Sequence, residues 1–171
     1  MWKRHNENFR VIMPLSTSPF EIINPDDRYI PTLKNKELTK VLPPLVTKIR
    51  KEVFEWRKNN YQGASDTSKA LLEWWFLKEH ENFKYYFAQR EAVETVIYLF
   101  EVAQIRDKDQ LFNNYNSLSE VTLQHFTENW LRLVTKMATG SGKTKVMSLL
   151  LIWSYFNRTY ENNSELSGNF L

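Results

Sequence analysis

Eleven consecutive residues near the end of the chain, Val146-Met-Ser-Leu-Leu-Leu-Ile-Trp-Ser-Tyr-Phe156, carry no charge, no glycine and no proline. The run is too short to span a bilayer and contains two serines, so it reads as a helix of a soluble fold. Apolar almost all round, that helix is expected to be buried against a sheet. A strand to feed it is expected immediately upstream, over Leu131 to Lys136. Arg132 and Lys136 share one face of that strand, so either the face is partly open or the strand is short.

The connection between strand and helix is Lys136-Met-Ala-Thr-Gly-Ser-Gly-Lys-Thr144. It reads as a loop that cradles phosphate. Gly140 and Gly142 lack Cβ and accept positive φ, which lets backbone N–H groups approach an anion closely. The helix that opens near Gly142 or Lys143 aims its unbonded N–H groups and positive dipole end at the same point. Lys143 is placed to reach the β- and γ-phosphates, and the Thr144 hydroxyl to ligate Mg²⁺. The strict pattern G-x-x-x-x-G-K-[ST] is not met, because Met137 stands where its first glycine belongs. The other reading of these residues is a glycine turn with an exposed lysine, and the strand–loop–helix context favours the phosphate loop over it.

At 171 residues the chain has room for one domain or for a piece of a larger one. Its 42% hydrophobic and 15% aromatic content supplies a core. A formal charge of +3 is too small to argue nucleic-acid binding by itself. There is no cysteine, which excludes disulfides and thiolate metal sites and fits a cytoplasmic protein. The first ten residues lack the apolar region of a signal peptide.

Upstream of the loop the pattern is helical. Pro14, Pro19, Pro25 and Pro31 make residues 1–36 an extended arm, with a short edge strand expected over Phe20 to Ile23. Pro43-Pro44 suits the first turn of a helix to about Lys58, whose stripe is Val46, Ile49, Val53 and Trp56. Tyr61-Gln62-Gly63 ends it, and Ser65 or Asp66 caps a second helix carrying Leu71, Leu72, Trp74, Trp75, Phe76 and Leu77. The paired tryptophans read as core.

A third helix over 87–104 turns Ala92, Val93, Val96, Ile97 and Phe100 inward and Glu91, Glu94, Tyr98 and Glu101 outward. Gln89 heads its buried stripe. A primary amide there must find partners, because an unsatisfied buried polar group costs about 1–3 kcal/mol. Those partners are either nearby backbone at the helix start, which the pattern alone favours, or the N6–H and N7 pair of an adenine. Residues 104–130 read as a connector with a short helix from about Ser119 to Phe126.

Taken together, Phe87-Ala-Gln-Arg-Glu-Ala-Val-Glu-Thr95 and the later Lys136-Met-Ala-Thr-Gly-Ser-Gly-Lys-Thr144 resemble the superfamily 2 helicases. The likeness is to the motor subunit of type III restriction enzymes and its DEAD/DEAH-type relatives. Val53-Phe-Glu-Trp-Arg57, Tyr61-Gln-Gly-Ala-Ser65 and Leu71-Leu-Glu-Trp-Trp75 are similar too, so the resemblance covers residues 41–171, strongly at two motifs and loosely between them. Met137 is usual in that family's loop. The resemblance implies ATP and Mg²⁺ as cofactors, held by Gln89, Met137, Ala138, Thr139, Gly140, Ser141, Gly142, Lys143 and Thr144. Gln89 would read the adenine, Lys143 would contact the phosphates and Thr144 would hold the metal. It implies DNA as a partner, together with the remainder of the helicase or a methyltransferase subunit, and no membrane.

The implied fold is α/β, a mostly helical N-terminal part followed by the start of a P-loop RecA-like lobe with an incomplete parallel sheet. Its divisions are the arm 1–36, a helical segment 37–82 and the lobe 83–171. The lobe comprises an adenine-reading helix 87–104, a connector 105–130, a strand and loop 131–144, and a helix 142–157. A complete motor also needs an Asp-Glu box and a second lobe supplying an arginine. Neither is legible here, nor is a nuclease signature. The chain is therefore expected to be a portion, truncated before that box, that binds ATP without hydrolysing it alone. A nucleotide- or partner-binding module without turnover is the competing reading. A small P-loop phosphotransferase is disfavoured, because no acceptor or lid residues follow the loop.

Overall fold

The structure is a computed structural model that describes residues 18–25, 44–115 and 134–167. Within them the chain forms five α-helices: α1 Pro44–Lys58, α2 Asp66–Phe76, α3 Phe87–Ile97, α4 Lys108–Tyr115 and α5 Lys143–Tyr160. A π-helical turn, Tyr98–Val102, continues α3. The expected start of α1 before residue 44, the short helix over 119–126 and the strand's first residues, 131–133, lie outside the described residues.

The α1 stripe packs as its spacing dictates, with Ile49, Val53 and Trp56 buried. The chain then reverses through three left-handed residues, Asn60, Tyr61 and Gly63. Ser65 is the N-cap of α2, its hydroxyl accepting from the Ser68 N–H at 3.2 Å. The two tryptophans divide: Trp75 is core, whereas Trp74 is 53% exposed. Central α3 packs on α1, α2 and α5. One cluster joins Trp56, Tyr61, Leu72, Trp75, Val93 and Ile97 to Val146, Leu149 and Trp153 of α5. A second gathers Ile49, Val53, Leu99, Ile105 and Tyr115 under α4, a helix within the expected connector.

Two expectations are overturned. No strand occurs among the described residues, so the α/β fold with an incomplete parallel sheet gives way to a helical one. Residues 134–136, expected as the strand's end, have no regular secondary structure. A strand exists only by pairing, and Val134 to Met137 make no backbone–backbone hydrogen bond to a described residue. Val134 is 89% exposed. In place of the expected edge strand at Phe20 to Ile23, the chain turns at Pro19 and Phe20, closed by the Glu21 N–H on the Ser18 carbonyl at 3.0 Å, and Ile22 and Ile23 have no regular secondary structure. The sole isolated β-bridge among the described residues joins His80 and Phe83.

The second correction follows from the first. Helix α5 buries Val146, Leu149, Trp153 and Asn157, a spacing of three and four, against α2 and α3 rather than a sheet. Its other side leaves Met147, Leu151, Ile152, Tyr155, Phe156 and Tyr160 exposed. No described helix is long and apolar enough to cross a membrane.

Candidate functional site

The loop residues come together at the start of α5. Residues Thr139 and Gly140 form a turn in which the Ser141 N–H and hydroxyl both donate to the Ala138 carbonyl, at 3.3 and 2.6 Å. Gly140 and Gly142 both have left-handed backbones, φ +78° and +83°, a conformation that side chains with a Cβ rarely adopt. Gly142 is the N-cap of α5, and its carbonyl accepts from the Lys145 and Val146 N–H groups at 3.0 and 3.3 Å. The N–H groups of Gly142, Lys143 and Thr144 have no acceptor among the described residues. Such orphan donors are what a helix start offers an anion.

Lys143 is the first residue of α5 and is exposed. Its ammonium folds back over the loop, 3.2 Å from the Ala138 carbonyl and 3.5 Å from that of Met137. Thr144 is exposed beside it. A Cβ built on Gly140 would meet nothing within 4 Å, so that side of the loop is open. A Cβ on Gly142 would lie 2.1 Å from Gln89 Nε2. Met137 packs against the main core cluster and so ties the loop to the body of the protein. Lys136 is exposed.

Gln89 is 5% exposed and reaches the loop from α3. Its Oε1 accepts from the Tyr86 N–H at 3.0 Å, one of the unbonded donors at the start of α3. Its Nε2 donates to the Ser141 carbonyl at 3.0 Å. The structure thus brings the glutamine and the loop into contact across 52 residues, with the amide spent on backbone partners. A groove of about 520 Å³ runs beside them, lined by Ala88, Ala92 and Val96 of α3, Ile49 of α1 and residues 134–138.

A buried ion-pair network lies beneath the loop's supporting helix. Glu94, read as outward, is fully buried, and both its oxygens are bonded. The Arg57 guanidinium pairs with it through Nε, at 3.1 and 2.9 Å, and through Nη2. Arg90 Nε donates to it at 2.8 Å and the Tyr61 hydroxyl at 2.7 Å. Burial pulls the Arg90 guanidinium down, but Glu94 and Tyr61 more than reverse that and leave it raised. Burial, reinforced by Glu94, pushes the Tyr61 phenol up. Arg57 Nη1 is buried without a partner among the described residues. The i, i+4 pairing of Arg90 with Glu94 was the one local signal for this network.

Comparison with known proteins adds no constraint: no family model, curated protein or solved structure matches the chain.

Proposed function

We propose that this chain binds ATP with Mg²⁺ at the loop 137–144, as the nucleotide-binding portion of a DNA translocase like the motor subunit of type III restriction enzymes. The observation that carries the reading is the pair of left-handed glycines around Ser141, opening directly into α5 with its first N–H groups unbonded. Two features fit a triphosphate: those orphan donors, and the empty space beside Gly140. Gly140, Ser141, Gly142 and Lys143 would hold the phosphates, and the Thr144 hydroxyl would hold Mg²⁺, which neutralises phosphate charge. Lys143 leaves the Ala138 carbonyl for a stronger, ionised acceptor. Gln89 is the residue to which the resemblance assigns adenine reading. Its oxygen and one of its two N–H groups are engaged, so base reading requires the amide to exchange a backbone partner for adenine. DNA and the remaining subunits of such a motor are the partners this reading carries, and its compartment is the cytoplasm.

The test is a titration of the chain with Mg-ATP. Lys143→Ala is expected to weaken binding by about 1.5–3 kcal/mol, roughly ten- to hundred-fold, the worth of a hydrogen bond to a charged group. Equal curves for the variant and the native chain would remove the phosphate-loop assignment. GTP competing as well as ATP would leave Gln89 a structural residue.

A further inference from the structure

We propose that the segment 18–25 positions the phosphate loop, with Phe20 acting through Tyr86 and Gln89. This rests on the nucleotide reading above. Two contacts tie the segment to the start of α3. The Pro19 carbonyl accepts from the Phe87 N–H at 2.8 Å, taking a donor that the start of α3 would otherwise leave unbonded. The Phe20 ring stacks on that of Tyr86, centroids 5.3 Å apart and planes 27° from parallel. Pro25, at the other end of the segment, is fully buried and anchors it.

Tyr86 hands this position on. Its N–H is the group that Gln89 Oε1 accepts, so the site of residue 86 sets the rotation of the Gln89 amide. The opposite edge of that amide donates to the Ser141 carbonyl. A trans peptide is planar, with its C=O and N–H pointing opposite ways, and no described peptide bond is cis. Fixing the Ser141 carbonyl toward Gln89 therefore aims the Gly142 N–H away from Gln89. That N–H is one of the unbonded donors at the head of α5. Gly142 allows this contact because a side chain there would collide with the amide. The segment 18–25 thus reaches a phosphate-binding donor through two side chains without touching the ligand.

The alternative is that Phe20 only covers Tyr86. A double-mutant cycle on the full chain separates the two, using mant-ATP with Mg²⁺ as the probe. Phe20→Ala and Gln89→Ala should each weaken binding roughly five- to ten-fold, and the double variant should be no weaker than Gln89→Ala. Phe20→Trp, which keeps a stacking ring, should restore affinity. Unchanged affinity in Phe20→Ala overturns the proposal, as do penalties that multiply in the double variant. A folded native chain that fails to bind mant-ATP removes both the nucleotide reading and this one. Native binding with an indifferent Phe20 removes only this one. Should Phe20→Ala not fold, hydrogen exchange at the Phe87 amide of the native chain decides. It should slow on saturation with nucleotide and not slow in Gln89→Ala, and an unaltered native rate counts against the proposal.

Discussion

Gly140 and Gly142 share a left-handed backbone but not their surroundings, and that difference makes them separable. A Cβ at Gly140 points into open space, so Gly140→Ala carries the backbone penalty alone, roughly 1–2 kcal/mol. At Gly142 the same penalty is joined by a contact at 2.1 Å with Gln89 Nε2. The amide must swing away and release the Ser141 carbonyl, so Gly142→Ala is expected to cost about 1 kcal/mol more. Thermal melts of the two variants check this, and equal losses would mean that Gln89 moves aside freely. These glycines were legible in the sequence because their requirement is local: a tight turn at a helix start needs residues without Cβ. The partners of Gln89 were legible only in kind. A buried amide needs acceptors and donors, but no spacing says that one of them lies 52 residues away.

Between elements, one carboxylate gathers three helical segments. Glu101, on the π-helical turn, accepts from the Ser65 N–H at 2.8 Å and the Ser65 hydroxyl at 3.2 Å at the head of α2. It also accepts from the Ser68 hydroxyl at 2.5 Å and, from α5, from Trp153 Nε1 at 3.2 Å and Asn157 Nδ2 at 2.7 Å. The π turn is what carries Glu101, read from the sequence as outward-facing, toward this site. An extra residue in the turn rotates the positions that follow it. Glu101→Gln replaces one acceptor oxygen by a donor that faces other donors. The expected loss is about 1–3 kcal/mol in urea unfolding, the cost of leaving a buried polar group unpaired. No change in the midpoint would show that water replaces the carboxylate at no cost. Helices α1, α2, α3 and α5 were legible from caps, turns and stripe spacing: α1 ends at Lys58 as expected, α3 with its π turn at Val102 rather than 104, and α5 at Tyr160 rather than 157, whereas α4 was not foreseen. The strand was not legible, because its hydrogen bonds belong to whatever lies beside it. Residues 134–136 have no such neighbour among the described residues.

Across the whole molecule, the apolar surface divides unequally. Helix α5 gives one side to the main core and leaves six large apolar residues exposed on the others. Stability therefore rests on the two clusters around α3, with Tyr61 buried in one, Tyr115 in the other, and the half-buried Tyr98 packed against both. Burial, with Glu52 adding to it, pushes the Tyr98 phenol up to about 12. Its hydroxyl donates to Glu52 Oε2 at 3.1 Å. Burial and then Glu52 push Tyr115 up as well, and burial and then Glu94 do the same to Tyr61. In each case the fold holds the neutral phenol, whereas the unfolded chain ionises near the ordinary value of about 10. The unfolded state then binds fewer protons than the folded one once pH passes that value, so stability falls with rising pH. The contribution of these groups is fully present below about pH 10. It declines from there through the raised value of about 12 for Tyr98 and continues to fall for the other two. Helical circular dichroism should therefore hold to about pH 10 and be lost above it, with the buried phenols ionising as the helices melt. Tyr98→Phe should move the onset to higher pH, since it removes a proton that only the folded state retains. If tyrosinate absorbance for all eight tyrosines is complete while the helical signal stays intact, the phenols are open to solvent and the clusters around α3 are looser than their contacts indicate.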